Sequence, residues 1–285
     1  IGTTSTRVPY EECDDMHVTP DEVKLLIQEG EKLAPCLSTT RILRAYAGVR
    51  PLVAADGDPS GRNISRGIVL FDHEKRDGIK GFITITGGKL MTYRLMAEMA
   101  TDLVCEKLHN SKKCETRTTP LPGSGNGDVK EVSQKIWTNP TTAQKATVGR
   151  AGSMASRIQL ETREEQSLVC ECEEVPESEV VNAIENLDVH NLVDLRRRTR
   201  VGMGTCQGEI CACRAAGLLS KAHGCAERAR EDLEKFMNER WKGMYPVAWG
   251  DSLREAEFTS WVYSECLGIG GEKGIDANPD SPELG

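Results

Sequence analysis

The sequence predicts an α+β protein, and three observations predict it. Residues 1 to about 122 alternate strand-like and helical patterns. From about residue 128 onward the pattern is helical apart from loops that carry cysteines. Between the two, Glu115 to Gly127 is a connection rich in Pro, Gly, Ser and Thr.

The elements follow in order. Thr19-Pro20-Asp21-Glu22 reads as a helix start, with a hydroxyl cap, proline in the first turn and glutamate three residues on. Gly81 to Thr86 alternates as a strand, and Gly87-Gly88-Lys89 then leads into a helix. That helix has Leu95, Met99 and Leu103 on one face, with Met96, Ala100 and Val104 beside it. Val180, Ala183, Ile184 and Leu187 fall at i, i+3, i+4 and i+7, so Glu177 to Leu187 buries one helical face. Asn191 caps a further helix carrying Leu192 and Leu195, which closes with Arg196, Arg197, Arg198 and Arg200. Glu227 to Trp241 aligns Ala229, Leu233, Phe236, Met237 and Trp241; after Tyr245 to Trp249, a last helix carries Leu253, Phe258, Trp261 and Val262. These two helices read as a subdomain packed on the cysteine region, or alternatively as a docking surface for a partner. Gly268 to Gly285, rich in Gly, Pro, Asp and Glu, reads as a mobile tail.

Composition sets the outer bounds. The 285 residues are 38% apolar and 28% charged, ordinary usage for a soluble protein of up to two domains. A net charge of -8 argues against broad nucleic-acid binding. No apolar run approaches the roughly eighteen residues that a membrane span requires. The 11 cysteines, with no signal peptide, suit a reducing compartment and a role as ligands or buried thiols. Ile1 opens without a methionine, which reads as a chain cut from a longer one or begun for expression. The five histidines, His17, His73, His109, His190 and His223, are scattered and read as surface or capping residues.

The chemistry lies in the cysteines. Cys170-Glu171-Cys172 and Cys206-Gln-Gly-Glu-Ile-Cys211 deliver four thiols as two close pairs from two loops, as a tetrahedral zinc or a [2Fe-2S] cluster requires. C-x-C is too extended to fold both sulfurs comfortably onto one zinc, and two irons are larger. Glycines round Cys206 let backbone N–H groups approach cluster sulfides. Cys213 is left as an alternative to Cys211, and unliganded buried thiols remain a further reading. The arginines at 196–200 read as a solvated helix end. The sharper alternative is electrostatic: one cation about 6 Å from a cluster favours reduction by about 3 kcal/mol at an effective dielectric of ~20, so only a partly buried arginine matters.

Val169 to Val175 together with Arg196 to Cys211 resembles the bacterioferritin-associated-ferredoxin-like [2Fe-2S] domain, in the version found in anaerobic, FAD-dependent glycerol-3-phosphate dehydrogenases. The resemblance implies Cys170, Cys172, Cys206 and Cys211 as the ligands. Ahead of it, Gly48-Val-Arg50-Pro-Leu52, Ser65-Arg66 and Gly87-Gly88-Lys89-Leu90-Met91-Thr92-Tyr-Arg94 match three segments of the same family in order. Unaided, the glycine turn is a weak signal for anion or cofactor binding. The resemblance implies that Arg50 and Arg66 hold the substrate phosphate and that Lys89 sits near flavin and reacting hydroxyl. It also implies that Gly87, Gly88, Lys89, Leu90, Met91 and Thr92 contact the isoalloxazine side of FAD. Surface ion pairing is the other reading of Arg50 and Arg66. Met91 departs from the threonine common at that place. No G-x-G-x-x-G follows an N-terminal strand, so the dinucleotide fingerprint and the general base are expected outside this sequence.

The expected organisation is the rear part of a DAO-like FAD-dependent oxidoreductase domain at 1–122 and a linker with a helical connection at 123–165. A small helical [2Fe-2S] domain follows at 166–224, then a helical extension at 225–267 and a tail at 268–285. The resemblance implies oxidation of sn-glycerol 3-phosphate to dihydroxyacetone phosphate, with electrons passing from FAD through the cluster. It implies two partners, a second subunit plus a membrane-anchoring iron–sulfur subunit leading to the quinone pool, with a cytoplasmic site at the inner face of the membrane. The sequence alone is expected neither to hold FAD tightly nor to turn over substrate. Two alternatives stay open: an FAD dehydrogenase of another hydroxy acid or amine with the same cluster module, and a zinc-bound structural or interaction module.

Overall fold

The computed structural model describes residues 1–6, 8–49, 67–124, 127–160, 162 and 165–269. The described residues form a helix-rich mixed architecture with two small antiparallel sheets. They divide into two compact units. One holds Ile1, His17–Tyr46 and the described residues from Pro122 on; the other holds Gly2–Met16 and those from Ala47 to Leu121.

In the larger unit, α1 (Pro20–Glu31) begins as its sequence dictates. Glu22 N donates to Thr19 Oγ1 at 3.3 Å and Thr19 N donates to Glu22 Oε2 at 3.1 Å, so each end of the capping box satisfies an orphan amide.

The smaller unit is built on β1 (Ile68–Asp72) paired with β2 (Ile83–Gly87), Ile68 lying opposite Gly87. The short α2 (His73–Asp77) joins them: Asp72 caps it through Glu74 N, and Gly78 ends it at φ 71°. Helix α3 (Tyr93–Lys107) follows β2 and is tied back by Lys107, whose ammonium lies 2.8 Å from both Asp72 Oδ1 and Glu74 Oε2. That shared cation holds both carboxyls below the usual range. Two apolar positions of α3 depart from expectation: Leu95 and Val104 stand exposed, because the side turned inward runs through Met96, Met99, Ala100 and Leu103.

The larger unit resumes with α4 (Val129–Ile136) and α5 (Thr142–Ala151), joined through Val132, Val148 and Ala155. A capping box, Thr141 with Gln144, starts α5. A bulged hairpin of β3 (Leu168–Cys170) and β4 (Val175–Pro176) leads into α6 (Glu177–Asn186) and α7 (Leu192–Thr199). Asn191 caps α7 as expected, accepting from Asp194 N at 2.9 Å. The rear is α8 (Cys211–His223), α9 (Ala226–Met244) and α10 (Asp251–Trp261), the last continuing into a π turn over Val262–Cys266. Val180, Leu195, Leu219, Phe236 and Tyr263 share one core, so α9 and the π turn close over the helices that carry the cysteines.

The face of α10 differs from its sequence pattern. Ser252, Ala256 and Thr259 are buried whereas Phe258 and Trp261 are exposed, because Thr259 turns inward to meet the buried Arg240. Ile269, within the expected tail, packs on the core and donates its N–H to Tyr263 O at 2.9 Å. The remainder of that segment, 270–285, lies outside the described residues.

Candidate iron-sulfur site

Two loops supply the thiols. The first is the β3–β4 turn, where Glu174 N donates to Glu171 O at 3.3 Å and Glu174 adopts φ 49°. Cys170, the last residue of β3, is buried in the core, whereas Cys172 lies beyond the strand in the turn and is exposed. The second loop runs from the left-handed end of α7 at Arg200 to the start of α8, and Cys211 is the first residue of that helix. Starting the helix there buries Cys211, whereas Cys213, two residues on, is exposed.

The loops meet closely because one residue lacks a side chain. A Cβ on Gly204 would lie 2.3 Å from Cys172 Cβ, so only glycine permits this approach. The four thiols come together as two pairs, each with one member from each loop. Cys172 Sγ lies 3.6 Å from Cys206 Sγ, and the buried Cys170 and Cys211 are close enough for each to shift the other's thiol. Among the described residues, no three His, Cys, Asp or Glu side chains are placed to hold one metal ion.

Amide donors surround the sulfurs. N–H groups of Gly202 and Glu173 serve Cys170, those of Gly208 and Ile210 serve Cys206, and Gly202 also serves Cys211. Thr205 Oγ1 donates to Cys172 Sγ at 3.7 Å. The side-chain interaction between Cys170 and Cys211 lowers the Cys170 thiol and, with burial, raises that of Cys211; burial also raises Cys206. Four converging thiols with N–H and O–H donors fit a sulfur-rich anionic group.

Of the terminal arginines of α7, one turns inward. Arg196 is partly buried and donates to Gln207 Oε1 at 3.3 Å; burial, then the nearby Arg44, lowers its guanidinium to about 10. Arg197 and Arg198 are exposed, and Arg200 pairs with Glu173 at 2.6 Å. The sequence reading missed two further arginines. Arg150 on α5 donates to Glu173 O and Glu174 O at 2.8 and 3.1 Å while pairing with Glu179 at 2.7 Å. Arg240 on α9 donates to Gln207 O at 3.1 Å and Cys206 O at 3.4 Å. A signal for Arg240 existed: it continues the apolar row Leu233, Phe236, Met237, where a cation must have a purpose. Arg150 carries none, since its partner is far away in sequence.

In the smaller unit, β2, a glycine pair, a single 3₁₀ turn (Leu90–Thr92) and α3 follow in the expected order. Gly87 has φ 74°, and a Cβ there would meet Gly67 O at 2.1 Å. Thr92 Oγ1 accepts from Lys89 N at 2.9 Å and donates to Lys89 O at 2.8 Å, fixing the turn. Lys89, Leu90 and Met91 are exposed. Arg50 and Arg66 lie outside the described residues, so their meeting with Lys89 stays an expectation. Among the histidines, His73 bonds Thr84 Oγ1 at 2.9 Å and pairs with Asp77, which is a structural role.

Residues 168–221 match the family of BFD-like [2Fe-2S] binding domains. The whole chain is 59% identical, over 97% of its length, to the A-subunit of the anaerobic glycerol-3-phosphate dehydrogenase of Haemophilus influenzae, of which it covers 49%. The protein of the same name from Escherichia coli K12 is 59% identical over 94% of the chain, which covers 50% of that protein. The A1-subunit of the Haloferax volcanii enzyme is 36% identical over 94%, with 45% of it covered. The chain thus spans about half the length of the curated relatives it matches. No solved structure matches it. Among the described residues no helix is long and apolar enough to cross a membrane. The matched stretch, residues 168–221, contains both cysteine pairs, whereas Arg150 and Arg240 lie outside it.

Proposed function

We propose that Cys170, Cys172, Cys206 and Cys211 hold a [2Fe-2S] cluster in the electron-transfer part of an FAD-dependent, quinone-linked dehydrogenase of sn-glycerol 3-phosphate. The observation that carries this reading is the convergence of four thiols from two loops, with backbone N–H donors around them. When bound, flavin supplies acceptance of two electrons as hydride and their release one at a time, and the cluster supplies one-electron storage.

The chain's own residues have separable tasks. Cys170 and Cys211 exclude water from one side, and the N–H groups of Glu173, Gly202, Gly208 and Ile210 offset negative charge on sulfur. Arg50 and Arg66 hold the phosphate of the substrate, since a dianion is best met by guanidinium forks. Lys89 stands where negative charge develops as the C2 hydroxyl becomes a carbonyl, giving dihydroxyacetone phosphate. Gly87 to Thr92 form the turn that faces the flavin in a DAO-like domain spanning 1–122. The proposed [2Fe-2S] domain at 166–224 and extension at 225–267 pass electrons towards two partners, a second subunit plus a membrane-anchoring iron–sulfur subunit. The complex sits at the inner face of the cytoplasmic membrane.

Anaerobic reconstitution followed by iron and sulfide analysis tests the centre. About two irons and two acid-labile sulfides per chain are expected, lost on Cys170→Ser, Cys172→Ser, Cys206→Ser or Cys211→Ser and kept on Cys213→Ser. One zinc without sulfide overturns the proposal. The chain alone is expected to lose FAD on gel filtration, and Arg50→Gln in the complete enzyme is expected to weaken phosphate-substrate affinity; unchanged affinity points to another hydroxy acid or amine.

A further inference from the structure

Each cysteine loop is fastened from outside residues 168–221 by a guanidinium, and the two guanidiniums differ in how their charge is answered. Arg150, which grips the carbonyls after Cys172, forks onto Glu179 and is neutralised there. Arg240 is not. It is 4% exposed, donates to Gln207 O, Cys206 O and, at 3.4 Å, Thr259 Oγ1, and among the described residues forms no ion pair. Glu209 and Glu255 act on it only from a longer range, and burial pulls its affinity for the proton down.

A buried cation without a carboxylate is costly. Here the carbonyl dipoles of the Cys206 loop compensate part of it, and Cys206 itself is among the groups that favour its charged form. A neutral thiol contributes little to that balance. A metal-bound thiolate contributes more, and one added electron makes a thiolate-ligated cluster one unit more negative, so a cation held in a low dielectric beside it favours the reduced form.

We propose that Arg240 is a positioning residue for the cluster, holding the Cys206 loop through its carbonyls while its unpaired charge raises the reduction potential. The inference rests on Cys206 being a ligand, as proposed above. It makes α9, outside the matched stretch, a determinant of the proposed cluster's redox behaviour.

The test is a mediated redox titration of the full chain with its cluster reconstituted anaerobically, followed by visible and electron paramagnetic resonance spectra. Arg240→Gln is expected to retain iron and sulfide and to shift the midpoint to a more negative potential, whereas Arg240→Lys, which keeps the cation, stays near the unsubstituted value. Thr259→Asp sets a carboxylate against the guanidinium without removing it, and is expected to shift the midpoint in the same direction. That variant carries the test should Arg240→Gln fail to fold. An unchanged midpoint in a folded, cluster-loaded Arg240→Gln or Thr259→Asp overturns the proposal, as does an Arg240→Lys midpoint as negative as that of Arg240→Gln. Lack of a cluster in the unsubstituted chain is a separate result, read from iron and sulfide content, and counts against the ligand assignment instead.

Discussion

Gly204 is the residue on which the meeting of the two loops depends. A methyl there would fall 2.3 Å from the Cβ of Cys172, and backbone-anchored atoms on both sides cannot swing away. Gly204→Ala is therefore expected to destabilise the chain by about 1–3 kcal/mol and to lower cluster content, read by thermal melting and iron analysis. The spacing of the four cysteines was legible in the sequence because clusters take thiols in close pairs. The difference in burial between Cys211 and Cys213 was not, since it turns on the residue at which α8 begins, and a helix boundary is poorly fixed by local pattern. Among the arginines of 196–200, the inward turn of Arg196 was equally hidden, because it depends on Gln207, held at φ 51° with its amide bonded to Met203 O and Gly204 O.

At the level of elements, α5 and α6 are joined by a buried ion pair that also fixes the first cysteine loop. Thr147 Oγ1 donates to Glu179 Oε2 at 2.7 Å, and Arg150 reaches the same carboxylate and two loop carbonyls. Arg150→Met strands a buried carboxylate, and a loss of about 3–5 kcal/mol is expected as a fall in Tm. Arg150→Met with Glu179→Leu removes both charges and is expected to recover part of the loss. Helix starts such as Thr19 and Asn191 were readable because a cap is a local hydrogen bond. The inward face of α10 was not: Phe258 and Trp261 outweigh Ser252 and Thr259 in any apolar pattern, yet the hydroxyl side is buried to meet Arg240.

For the larger unit as a whole, residues 168–221 do not close their own core. Leu233, Phe236 and Met237 of α9 and Tyr263 beyond α10 share one cluster with Val180, Leu195 and Leu219. Phe236 lies against Gly202 and Gly208, where a Cβ would meet its ring at 2.8 and 2.5 Å. A chain ending at Gly224 is expected to bind a hydrophobic dye and to melt without cooperativity, while one ending at Ile269 melts as a unit; equal melting of both would show that α9 is dispensable. The helical character of this region was legible from periodicity. Its dependence on α9 was not, because long-range closure leaves no mark in a local pattern.

The two thiol pairs also face different surroundings. Cys170 and Cys211 are shut in by the core, but Cys172 stands exposed at a turn with Cys206 beside it. With the proposed cluster held there, the Cys172 side is the one that dioxygen reaches first. With no metal bound, an oxidant that takes two electrons and two protons would join Cys172 to Cys206, whose sulfurs lie 3.6 Å apart.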